Sequence, residues 1–136
     1  MVTIDIVYEG SLHCRLTHGP SGVELATDAP KDNMGKGESF SPTDLVAAAL
    51  GSCFMTIMGI YASKHGIDLT GTKIRVTKEM IQEPVRRIGK LSAIVNMPAG
   101  LTQNQRTALE HAALNCPVHK SLHPDVQTPV TFQYPD

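Results

Sequence analysis

The chain has no tryptophan and only three Phe and three Tyr. It therefore offers few aromatic surfaces on which nucleobases or sugars could stack. It also lacks an excess of either charge. Lys and Arg number 12 against 13 Asp and Glu, for a formal net charge of −1, and the longest basic run is Arg86-Arg87. A nucleic-acid binder would show a basic face, so no nucleic-acid partner is expected. Three Cys are too few for a disulfide scaffold, and their odd number suits a reducing cytosol. The first residues, Met-Val-Thr-Ile-Asp-Ile, show neither a basic nor a long apolar signal-peptide region, so a cytoplasmic location is expected. No G-x-G-x-x-G, P-loop or G-x-S-x-G is present, which leaves nucleotide and serine-hydrolase chemistry without support. Repeats, low-complexity tracts and linkers are missing too. At 136 residues, two complete hydrophobic cores would not fit, and 1–136 reads as one domain.

What is present is a chain with 41% hydrophobic residues and 18% charged ones, the balance of a folded protein. One stretch, Leu45 to Ala62, carries no charge and reaches the lower limit of a bilayer span. It is rich in Ala, Gly, Ser and Thr and has no partner span, so a buried core helix is expected and no membrane. Its start is well marked. Ser41 stands at N-cap, Pro42 at N1 and Asp44 at N3, where an acid meets the positive end of the helix dipole. The pattern runs to Lys64-His65 with Gly66 as the stop, and Val46, Ala49, Leu50, Cys53, Ile57 and Ile60 share one apolar stripe.

Residues 2–8, 11–17 and 23–27 read as three short strands, and Asp28 to Phe40 as a polar loop. Thr72 to Met80 and then Lys90 to Met97 alternate as strands, with Leu91, Ala93, Val95 and Met97 on one side. Thr102 and Gln105 form a second capping box, whose helix carries Leu109, Ala112, Ala113 and Cys116 and must break at Pro117. A short turn from Val118 to Leu122 and a strand over 126–134 close the chain. The order βββ-α-ββ-α-β predicts an α+β fold with two buried helices on antiparallel sheet.

Two cysteines dominate the chemistry. Cys53 and Cys116 lie on the apolar stripes of the two long helices, so packing of those helices would let the thiols meet. A purely structural role stays open, because free Cys is among the most buried residues. Cys14, beside His13 on an early strand, is taken as structural. Cys116, before Pro117, sees the dipole of the following turn, which favours thiolate. Cys53 lies mid-helix, where the amides are already used, and needs a cation from elsewhere. Lys31, Lys36, Arg15, Arg86 and Arg87 are the choices. His111, His119 and His123 surround Cys116, and the C-x2-H spacing with Cys53 as a further sulfur raises zinc as an option. No second Cys-x-x-Cys pair accompanies them, so neither metal nor cofactor is expected.

Three segments together resemble the OsmC/Ohr family, the osmotically inducible and organic-hydroperoxide-resistance proteins. They are Phe40-Ser41-Pro42-Thr43-Asp44-Leu45, Ala47-Ala48-Ala49-Leu50-Gly51-Ser52-Cys53, and Asn115-Cys116-Pro117-Val118-His119-Lys120-Ser121-Leu122. The resemblance extends over nearly the whole chain, including element order. It implies an OsmC-like intertwined homodimer, with two antiparallel sheets around two central helices and sites at the subunit interface. It also implies a thiol peroxidase acting on an organic hydroperoxide. Cys53 would then be peroxidatic and Cys116 resolving, and a dithiol or thioredoxin-like reductant would reopen their disulfide. In the best-known pattern of that family a Glu ten residues before the reactive Cys pairs with an Arg from a preceding loop. Here Thr43 holds the Glu position, Asp44 stands one step off, and the 28–40 loop has Lys31 and Lys36 but no Arg. The chain is thus closer to the OsmC-like branch. A non-catalytic module holding an acyl or other small molecule in an apolar interface pocket is the alternative.

Overall fold

The structure is a computed structural model, and it describes residues 1–135. The chain divides into two compact units, Met1–Val46 and the part from Ala47 onward. In the first unit β1 (Ile4–Gly10), β2 (His13–His18) and β3 (Glu24–Asp28) form an antiparallel meander. Ser11 and Leu12 take positive φ in the turn between β1 and β2, so β2 starts later than the alternation suggested. Ile4, Ile6, Tyr8, Val23 and Leu25 remain exposed on this sheet.

The segment after β3 is more ordered than its polar composition predicted. A 3-10 turn at Lys31–Asn33 opens it, and the chain folds back so that Gly35 N–H reaches Pro30 C=O at 3.0 Å and Gly37 N–H reaches Ala29 C=O at 3.2 Å. A Cβ on Gly35 would lie 1.8 Å from the Ala29 carbonyl oxygen, so no other residue fits this doubling back. Asp28 N–H donates to Phe40 C=O at 3.0 Å and closes the loop at its base.

Helix α1 spans Pro42–Lys64 and starts as expected. Asp44 N–H donates to Ser41 Oγ at 3.1 Å, and Ser41 N–H donates to Asp44 Oδ2 at 2.9 Å, a reciprocal capping box. By length and composition α1 could cross a membrane, but Leu50, Phe54 and Met58 are fully buried within the chain. The buried stripe is Ala47, Leu50, Gly51, Phe54, Met58 and Ala62, about one residue round from the expected one. Ala49 and Ile60 are exposed, and Cys53 sits at the margin of the buried face, half-exposed. A helix apolar on every side gives no pattern from which the buried stripe can be chosen.

In the second unit β4 (Lys73–Ile81) and β5 (Arg87–Asn96) pair antiparallel, with a bulge at Glu79/Met80. Leu91, Ala93, Val95 and Met97 are buried as the alternation of β5 demands. They join Leu50, Phe54, Met58, Leu109 and Ala113 in one core, where each fully buried Leu, Met or Phe contributes about 1.5–3 kcal/mol. Helices α2 (Gln103–Ala113) and α3 (Pro117–Ser121) then lead to β6 (Val130–Gln133). The second capping box forms as read: Gln105 N–H donates to Thr102 Oγ1 at 3.1 Å, and Thr102 N–H to Gln105 Oε1 at 2.9 Å.

β6 corrects two expectations. It is only four residues long, because Pro129 cannot donate to a ladder and the chain before it makes just one isolated bridge, Gln127 with Lys90. It also pairs parallel to β5, so the second sheet is mixed. Parallel neighbours require a long crossover, and the α2–α3 excursion supplies it.

Candidate functional site

The second unit holds both site cysteines, Cys53 on α1 and Cys116 not on the expected α2 stripe but past the end of that helix, at the cap of α3. On α1, Gly51 lets the helix approach β4 closely: a Cβ there would stand 2.9 Å from Val76 Cγ2 and 3.6 Å from Ile74 Cγ2. Two residues on, Cys53 is half-buried, between exposed Ser52 and buried Phe54. Cys116 is 0% exposed and is the N-cap of α3, with extended φ and ψ of −63° and 125°. Its Sγ accepts the His119 N–H at 3.3 Å, the bond that Ser or Asp usually makes at this position. Pro117 at N1 has no N–H to satisfy.

The two thiols are near enough for Cys53 to influence the ionisation of Cys116, and neither is in a disulfide. Burial pushes the Cys116 thiol up, and its interaction with Cys53 adds to the rise. The N–H groups of His119 and Val118 pull the other way and are outweighed. This corrects the expectation that the α3 turn makes Cys116 a thiolate. The cap bond exists, but burial wins and the proton stays on Cys116.

His119 completes the cluster. Its Nε2 lies 2.9 Å from Thr128 Oγ1, and its ring stands 6.3 Å from the Phe54 ring at 43°. It therefore ties the Cys116 cap to Thr128 and to Phe54 on α1. A histidine at N3 of a Pro-started turn capped by Cys is the signal that could have given it this role.

Of the thiolate-supporting candidates, Arg86 and Arg87 lie in the second unit and the others in the first. Arg15, on β2, lies 3.8 Å from Glu9 and is 48% exposed. Lys36 lies 3.9 Å from Glu38 in the 28–40 loop, and Lys31, exposed, starts the 3-10 turn. Asp44 serves as the N3 cap of α1. Cys14 is half-buried on β2, opposite Tyr8 on one side and Thr27 on the other. Sequence reasoning passed over His13, Asp28 and Glu38, which the first unit gathers into a cluster.

A half-exposed thiol on a long helix thus interacts with a buried protonated thiol at the cap of a short one, in an α+β protein of three cysteines. Comparison with known proteins places it further. The family described as OsmC-like protein matches residues 35–131. A protein of Psychrobacter arcticus 273-4, provisionally described as an osmotic stress induced and detoxification response protein, is 42% identical, with a TM-score of 0.92 over 98% of this chain and 96% of that one. An organic hydroperoxide resistance protein OsmC of Legionella pneumophila shares the fold at 20% identity and TM-score 0.74, covering 98% of this chain and 96% of its own. The organic hydroperoxide resistance protein OhrB of Bacillus subtilis does so at 17% and 0.72, covering 98% of both chains. Among curated proteins none matches. This chain belongs to the OsmC-like family.

Proposed function

We propose that the chain is a thiol-dependent hydroperoxide reductase in which Cys53 is peroxidatic and Cys116 resolving. The observation that carries the reading is the asymmetry of the pair: Cys53 is reachable from solvent, whereas Cys116 is buried and keeps its proton. The Cys53 thiolate attacks the terminal oxygen of an organic hydroperoxide. The O–O bond breaks, an alcohol leaves with a proton, and Cys53 becomes a sulfenic acid. Cys116 then forms the S–S bond to Cys53 as the S–O bond breaks. Its proton leaves with the hydroxyl as water. A dithiol or thioredoxin-like reductant restores both thiols and is itself oxidised.

The cation that supports the Cys53 thiolate is assigned to Lys31, Lys36 or Arg15. In this proposal residues 1–136 act as one domain, in a cytoplasmic homodimer. Exposed Ile4, Ile6, Tyr8, Val23, Leu25 and Ile60 support the dimer, because they are apolar area that a second copy would cover. The test is free-thiol titration and intact mass before and after one equivalent of an organic hydroperoxide. Loss of two thiols and two hydrogens per chain, reversed by dithiol, is expected. Unreacted thiols at that dose would hand the family fold to the ligand-binding reading.

A further inference from the structure

His13 on β2 and Asp28 on β3 are directly opposed in the antiparallel register, so their side chains share one face of the sheet. Glu38 reaches the same place from the loop that follows β3. Its backbone N–H donates to Asp28 Oδ2 at 2.9 Å, which ties the loop to the carboxylate. One ligand atom from each of His13, Asp28 and Glu38 lies within 4.8 Å of the other two.

Asp28 is the unusual member. It is 1% exposed, yet its Oδ1 accepts no hydrogen bond. Nε2 of His13 pairs with that oxygen at 3.1 Å, although no N–H is aligned with it for a hydrogen bond. A buried carboxylate oxygen whose one partner is a misaligned, half-exposed imidazole is costly. Two ligand atoms held about 2.0–2.2 Å from one ion, at angles between octahedral and tetrahedral, lie roughly 2.9–3.5 Å apart. The spacing of Oδ1 and Nε2 falls in that interval. Glu38 N–H holds the Asp28 carboxyl below the usual carboxylate range, against the opposing cost of burial, and nearby His13 adds to the lowering. The group is thus an ionised ligand near neutral pH.

We propose that His13, Asp28 and Glu38 form a binding site for a divalent transition-metal ion such as Zn2+. One imidazole and two carboxylates suit such an ion, and the exposure of Glu38 leaves coordination positions for water. The loop is built to hold the site before the ion arrives. Its backbone bonds from Gly35 and Gly37 to Pro30 and Ala29 fix the return path from Asp28 to Glu38. Bound metal would clamp both ends of that loop to β2.

The test is titration of the reduced full-length chain with Zn2+ against a chromophoric chelator, followed by amide NMR. One ion per chain is expected, with the largest shifts at His13, Asp28 and Glu38. Glu38→Gln and His13→Gln sit at exposed and half-exposed positions and should leave the fold intact. Each should weaken Zn2+ by at least about tenfold. The Cys53→Ser/Cys116→Ser double variant should bind Zn2+ as wild type does. The proposal is overturned by the absence of saturable binding, by unchanged affinity in both single variants, or by loss of the ion with the thiols.

Discussion

Replacing Cys116 separates what its sulfur does for the fold from what it does for the chemistry. Cys116→Ala removes the acceptor of the His119 N–H, a lost N-cap worth about 1 kcal/mol. It also leaves the volume of one sulfur empty in a fully buried place, at a cost near that of one methylene, about 0.8 kcal/mol. The sum is about 2 kcal/mol, or a fall in Tm of roughly 8 °C at this chain length. Cys116→Ser keeps an acceptor at the cap and should lose about half as much. In chemistry the two variants should be alike. With one equivalent of organic hydroperoxide, Cys53 should gain one oxygen in both. With excess it should advance to sulfinic acid, because no partner thiol traps the sulfenic acid. Cys53→Ser should leave Cys116 reduced at the same dose, since a buried protonated thiol is a poor nucleophile. Urea melts read the first effect and intact mass the second. Oxidation of Cys116 in Cys53→Ser at the wild-type rate would refute the assignment of roles. Equal stability of the Ala and Ser variants would refute the cap argument.

If one cation supports the Cys53 thiolate, substituting Lys31, Lys36 and Arg15 singly with Met should slow alkylation of Cys53 at pH 7 for at least one of them, read by peptide mapping. Equal rates in all three would remove them from the site. Sedimentation velocity at micromolar concentration should give a dimer; a stable 14.7 kDa monomer would contradict the reading of the exposed apolar residues. Gly51→Val should lower the urea midpoint, because its added carbons meet Val76 and Ile74. Overpacking of about 2 kcal/mol exceeds the few tenths gained in helix propensity. An unchanged midpoint would mean that β4 yields.

Features encoded by neighbours in the chain were legible. Both capping boxes need only three residues and a backbone, and the burial of Leu91, Ala93, Val95 and Met97 follows from strand period alone. The helix stripes misplaced both cysteines, because Cys53 lies at the margin of the buried face of α1 and Cys116 caps α3 beyond the end of α2. Strand direction was not legible. Alternation is the same for parallel and antiparallel pairs, so nothing in Val130–Gln133 tells which way it runs against β5. The proton on Cys116 was misjudged because the cap donors are local whereas the burial that defeats them is tertiary. His13, Asp28 and Glu38 were missed for a related reason. Strand register and a folded-back loop join them, and no short motif spells out either one.

Cys53 lies in the middle of α1 and Cys116 at the cap of α3, so everything between them, including β4, β5 and α2, would be enclosed by the proposed disulfide. Oxidation would turn an open chain into a ring with two tails. In the chain-entropy view, closing about sixty residues costs the unfolded ensemble roughly 4 kcal/mol of freedom and leaves the folded state nearly untouched. Each catalytic cycle would therefore alternate between two topologies of the same fold. The one that has just consumed peroxide would be harder to unfold, and so a poorer target for proteolysis, until a reductant opens the ring.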